Sequence, residues 1–87
     1  MMKFEIREID AWADPECGWT WNTSYYLGTL NTKAQNVKRA FVHYLKRTRG
    51  IVFRRGRTIV ADETGGDVLE IRDRRTGEPL FAAIYME

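Results

Sequence analysis

Nucleophilic catalysis needs a nucleophile, a base and an orienting group that converge in space, and in this 87-residue chain the candidates reduce to Cys17 and His43. Cys17 follows Asp14-Pro15-Glu16, whose carboxylates oppose a thiolate. His43 falls among cations, where the plain reading is a solvated imidazole. A second group, Asp62, Glu63, Asp67 and Glu70, brackets Gly65-Gly66. A calcium loop of the EF-hand type needs oxygen ligands at alternating positions and a closing Glu, and this stretch has neither. A two-carboxylate hydrolytic pair is the sharper reading of these acids, and solvated turn residues are the simpler one. Gly65-Gly66 is not followed by the Lys-Ser/Thr and helix of a phosphate loop. The single cysteine allows neither an intrachain disulfide nor a cysteine-based metal cage. These observations predict a protein that is not an enzyme and has neither cofactor nor metal.

The charge pattern points elsewhere. Residues 31–61 contain no Asp or Glu but carry Lys33, Lys38, Arg39, Lys46, Arg47, Arg49, Arg54, Arg55 and Arg57. The segments on either side are net acidic, so the formal net charge of +2 conceals a strong segregation. A one-sided basic field attracts polyanions such as nucleic acid, or an acidic face of another protein. Part of the window has a structural explanation, since Lys46, Arg47 and Arg49 would complement the negative end of a helix dipole by about 0.3–1 kcal/mol each. Arg54, Arg55 and Arg57 have none, because like charges crowded around a short turn repel. Arg also predominates in the cluster formed by Lys46, Arg47, Arg49, Arg54, Arg55 and Arg57, and its planar fork binds phosphate or carboxylate in bidentate fashion.

The elements that position these residues follow from hydrophobic period. Residues 3–12 alternate, with Phe4 and Ile6 on one face and Lys3, Glu5 and Arg7 on the other, which predicts a strand. Asp14-Pro15-Glu16-Cys17-Gly18 reads as a turn, and residues 19–30 as the returning antiparallel strand. Trp12 near one end of the turn and Trp19 and Trp21 at the other would form cross-strand aromatic pairs. Residues 31–49 shift to a helical period, with Ala34, Val37, Ala40, Phe41, Tyr44, Leu45 and Thr48 on one face. Thr32 and Gln35 suggest a capping box, and Gly50 a left-handed C-terminal cap. The opposite face presents Arg39, His43 and Lys46, with Gln35, Arg47 and Arg49 nearby and Lys38 on the flank. Strands are then expected at residues 51–54, 57–62, 68–73 and 79–85. Arg55-Gly56 and Thr64-Gly65-Gly66 would reverse the chain, and Gly77 suits a bulged hairpin loop. Pro79 requires the last strand to begin at an edge or at its first paired residue.

The predicted fold class is α+β: one domain over residues 1–87, with an antiparallel sheet of about five strands and one helix packed on one face, in the order β-β-α-β-β-β. No apolar run approaches the roughly 20 residues of a membrane span, and the N-terminus lacks a signal-peptide core, so no membrane partner and a cytoplasmic location are expected.

On this fold the expected function is non-enzymatic binding of nucleic-acid phosphates, DNA ahead of RNA. The candidate residues are Lys38, Arg39, Lys46, Arg47, Arg49, Arg54, Arg55 and Arg57. No helix-turn-helix, zinc-finger or RNA-recognition signature is present, and Trp19, Trp21, Tyr25 and Tyr26 read as core or cross-strand residues. The alternative is a protein-interaction module. It would use the Arg patch against an acidic protein surface, or the apolar tail at residues 79–86 as an added strand in a homodimer.

Several stretches carry a resemblance: Trp19-Thr20-Trp21-Asn22, Tyr25-Tyr26-Leu27-Gly28-Thr29, Lys38-Arg39-Ala40-Phe41 and Arg74-Arg75-Thr76-Gly77-Glu78-Pro79-Leu80. Over nearly the whole chain it resembles small uncharacterised proteins encoded by phages and conjugative elements of Gram-positive gut bacteria. The resemblance implies a DNA-associated accessory factor or a small blocker of host defence enzymes, and carries over no site residue.

Overall fold

A computed structural model of the chain describes residues 1–53, 58–62 and 67–86. Strands β1 (Met2–Asp14) and β2 (Gly18–Thr32) form a long hairpin. Its turn is built by Asp14, whose Oδ1 accepts the N–H groups of Glu16 at 2.8 Å and Cys17 at 3.3 Å, and by Gly18 at φ 79°. Phe4 and Ile6 are fully buried on one face, as the alternation predicts. Trp12 lies opposite Thr20, while Trp19 and Trp21 lie opposite Ala13 and Ala11. The predicted tryptophan pairing is therefore corrected: the two-residue period sends Trp12 to one face of the hairpin and Trp19 and Trp21 to the other.

The helix starts later than its period suggests. Strand β2 continues to Thr32, paired with Met2, and a 3₁₀ turn at Ala34–Asn36 precedes α1 (Val37–Arg49). The capping box does not form: Asn36 is the N-cap, without a side-chain cap, and the Thr32 hydroxyl donates to the Lys33 carbonyl instead. The C-terminus closes as predicted, with Gly50 at φ 68°, Gly50 N–H donating to Lys46 O and Ile51 N–H to Leu45 O. Phe41 and Leu45 are buried, and Val37, Ala40 and Tyr44 pack beside them. Thr48, placed on the core face by its spacing, is exposed and returns its hydroxyl to the Tyr44 carbonyl at 2.6 Å.

The strand expected at residues 51–54 is absent over Ile51, Val52 and Phe53. The Ile51 N–H is consumed by the helix cap, and Phe53 packs edge-on against Phe81 with ring centroids 5.9 Å apart. The expected turns at 55–56 and 64–66 lie outside the described residues. Strands β3 (Thr58–Asp62), β4 (Val68–Asp73) and β5 (Pro79–Met86) form an antiparallel meander. The β4–β5 loop repeats the device of the first hairpin. Asp73 Oδ1 accepts the N–H groups of Arg75 and Thr76, and Gly77 at φ 77° closes the loop onto the Asp73 carbonyl.

The five strands make one antiparallel sheet in the order β2-β1-β5-β4-β3, with α1 on one face, an α+β domain. Strand β1 pairs with β5 from Lys3↔Met86 to Glu8↔Phe81, which joins the first hairpin to the meander. Pro79 is the first residue of β5 and is paired with Arg72. Because β5 lies between β1 and β4, it has no free edge to offer a second copy, and the strand-addition reading of residues 79–86 is corrected. The core under α1 joins Phe4, Ile6, Leu30, Phe41, Leu45, Leu69, Ile71 and Ala83, and each fully buried Phe, Leu or Ile contributes about 1.5–3 kcal/mol.

Candidate nucleic-acid interface

Two bulges in the edge strand position the helix. Between Ile6 and Arg7 the partners step from Gly28 to Tyr26, which leaves Leu27 out of register, and a second step leaves out Ser24. The Leu27 carbonyl accepts from Arg49 Nη2 at 3.1 Å and from the Tyr44 hydroxyl at 3.4 Å. The last two turns of α1 are thus fastened to the first bulge. Tyr44 comes so close to Gly28, whose φ is 152°, that a Cβ there would overlap the tyrosine hydroxyl.

With one side of α1 against the sheet, the other faces solvent. Lys38, Arg39, His43, Lys46, Arg47 and Arg49 are all exposed, and the helix contains no Asp or Glu. Arg39, His43 and Lys46 recur at i, i+4 and i+7 and form the ridge opposite the core, as the period predicts. Beside the N-terminal half of this ridge, Thr32, Asn36, Arg39, Ala40 and His43 line an open groove of about 450 Å3. Arg49 has a structural duty at the bulge, while Lys38, Arg39, Lys46 and Arg47 make no ion pair among the described residues.

The later start of the α-helix changes the electrostatic argument. Val37 is its first residue, so Lys38 and Arg39 stand in the first turn, where cations oppose the helix dipole. Folding gains nothing from charge at those positions. Lys46, Arg47 and Arg49 occupy the favourable last turn. Arg54, Arg55 and Arg57, the centre of the sequence-based patch, lie outside the described residues.

Of the core or cross-strand reading, the four aromatic residues take the cross-strand part: Trp19, Trp21, Tyr25 and Tyr26 pair with Ala13, Ala11, Glu8 and Arg7. Tyr25 and Tyr26 are 67% and 53% exposed, so they are not core residues. The bulges bring them to the outer edge, where Tyr26 lies against the Arg7 guanidinium with 5.7 Å from Cζ to the ring centroid. The signal in the sequence was weak, because a bulge breaks the two-residue period that assigns side chains to faces. Trp19 and Trp21 are half-buried, and the Trp19 indole donates to the Thr76 carbonyl at 2.9 Å, tying the two Asp-built turns together.

The catalytic candidates Cys17 and His43 lie on different elements. Cys17 is exposed in the β1–β2 turn, His43 is exposed in the middle of α1, and no hydrogen bond joins them. Glu70 is buried and accepts from Arg72 Nη2 at 2.6 Å, while Asp67 is exposed. Among the described residues no group of three His, Cys, Asp or Glu side chains is arranged to hold a metal ion, and no helix is long and apolar enough to cross a membrane. Among the described residues, Asp73 is the carboxyl that its surroundings hold away from its ordinary range. The N–H groups of Thr76 and then Arg75 hold its carboxyl below the usual range.

Comparison with protein-family models, curated proteins and solved structures gives no match. The fold and its exposed helix define a small α+β domain with a cationic helical face.

Proposed function

We propose that this domain is a non-enzymatic binding module that contacts nucleic-acid phosphates through the solvent face of α1 and the basic segment that follows it. The observation that carries the reading is the exposed, acid-free ridge, with Lys38 and Arg39 held in the helix turn where folding disfavours them. A polyanion supplies the missing counter-charge, and arginines give phosphate a bidentate partner. Strand addition by residues 79–86 does not apply, because β5 is interior; the edges of the sheet are β2, which two bulges blunt, and β3. An acidic protein surface remains the competing ligand for the same cations. The accessory role in a mobile element and a cytoplasmic setting belong to this reading.

Two charge-reversal variants test it, Lys38→Glu/Arg39→Glu/Lys46→Glu/Arg47→Glu and Arg54→Glu/Arg55→Glu/Arg57→Glu. Each should release the protein from heparin and DNA at much lower salt while its circular dichroism is unchanged. For the native chain, log affinity should fall with log salt at a slope of about −3 to −5, as four to six neutralised phosphates require. Full retention by both variants would overturn the proposal, and salt-dependent binding to an acidic protein without binding to DNA would favour the alternative.

A further inference from the structure

We infer that the ligand is single-stranded nucleic acid, its bases stacked on Tyr25 and Trp12 and its phosphates held by the last turn of α1. This deepens the proposed function and rests on it. Alternation along β1 puts Glu8, Asp10 and Trp12 on the face that carries the helix, continuing Phe4 and Ile6, and the register places Tyr25 opposite Glu8. The helix does not extend over this part of the hairpin: Trp12 is 44% and Tyr25 67% exposed. The distal hairpin is therefore a ledge with two uncovered aromatic side chains on the helix side.

The ledge begins where the basic end of the helix stops. Arg49 is fixed to the Leu27 carbonyl, two residues from Tyr25, so the last turn of α1, which also carries the exposed Lys46 and Arg47, ends beside the ledge. Trp12 lies four residues along β1 from the partner of Tyr25, a distance of about 13 Å at strand rise. That span suits an unstacked strand with one base on each ring and a nucleotide between them. Each base–aromatic stack is worth about 1–3 kcal/mol and tolerates any sequence.

The exposed acid on the ledge decides between one strand and two. Asp10 repels phosphate, whereas a carboxylate accepts hydrogen bonds from the amino groups on base edges. A single strand can keep its phosphates on the helix and turn its bases over the ledge. A duplex hides its base faces and would carry its second backbone across Asp10, so it gains nothing from Tyr25 and Trp12.

The test is fluorescence anisotropy with a labelled mixed-sequence DNA 12-mer and its 12-base-pair duplex at one salt concentration. The native chain should bind the single strand at least about tenfold more tightly. Tyr25→Leu and Trp12→Leu should each weaken single-strand binding by about 5–100-fold and leave duplex binding unchanged, while Tyr25→Trp should retain it. Both positions are exposed, so unchanged unfolding midpoints are expected and would separate lost stacking from lost folding. Equal binding of both probes, with the leucine variants silent and Lys46→Glu/Arg47→Glu binding neither, would overturn this inference and spare the polyanion reading. Absence of binding to either probe by the native chain would overturn both.

Discussion

Tyr44 and Gly28 meet where α1 crosses β2, with the tyrosine hydroxyl filling the space that a side chain at position 28 would need. Gly28→Ala should therefore cost about 2–4 kcal/mol, from a backbone conformation poor for an L-residue together with overpacking. Tyr44→Phe in the same chain should recover part of that loss by removing the hydroxyl. Urea unfolding of the single and double variants checks this, and an additive pair of effects would separate the two residues energetically. Gly50→Ala is the control: its φ of 68° carries the backbone penalty, but nothing lies within 4 Å of the added methyl group, so about 1 kcal/mol is expected.

The Asp73 turn gives a pH dependence with a definite sign. The Thr76 and Arg75 N–H groups hold its carboxyl below the usual range, so the folded state binds this proton less readily than the unfolded chain. Its contribution is fully present above the ordinary Asp range and is lost as pH falls through the depressed folded value. Asp73→Asn keeps an acceptor oxygen and removes the titration. Thermal unfolding between pH 6 and about pH 2 should show a shallower acid decline for the variant than for the native chain. Parallel curves would mean that the turn contributes nothing to acid sensitivity.

Glu70 and Arg72 make the most buried ion pair described, with side-chain exposures of 1% and 29%. Glu70 sits in β4 between Ala61 and Ala82, and its Oε1 has no hydrogen-bond partner among the described residues. Arg72→Ala would strand that carboxylate and should cost about 2–4 kcal/mol, somewhat under the ~3–5 kcal/mol of a fully buried pair because the arginine reaches water. Glu70→Leu/Arg72→Leu should restore most of the loss. A double variant less stable than Arg72→Ala would assign the pair a net favourable role.

Trp19 links two turns that are distant in sequence. Trp19→Phe keeps an aromatic ring beside Gly77 but removes the donor to Thr76 O, which should cost about 0.5–1.5 kcal/mol. Hydrogen exchange should accelerate at the β1–β2 and β4–β5 turns while amides of α1 stay protected. Faster exchange throughout the helix would contradict a local role.

The sequence by itself determined the local features. Alternation specified the first strand, residues 14–18 and Gly77 marked two turns, and Gly50 specified the helix end, while the structure showed that Asp14 and Asp73 build both turns with the same chemistry. Each depends on residues within a few positions of one another, where side-chain oxygens, glycine conformations and hydrophobic period act directly. The cationic face of α1 was legible for the same reason. Tertiary structure decided what depends on long-range pairing. Joining β1 to β5 made the last strand interior, and extending β2 to Thr32 moved Lys38 and Arg39 into the first turn of α1. The bulges at Leu27 and Ser24 re-aimed the edge strand, leaving Tyr25 and Tyr26 exposed and a carbonyl free for Tyr44 and Arg49. A bulge shifts the face of every residue beyond it, and only the partner strand fixes where that shift falls.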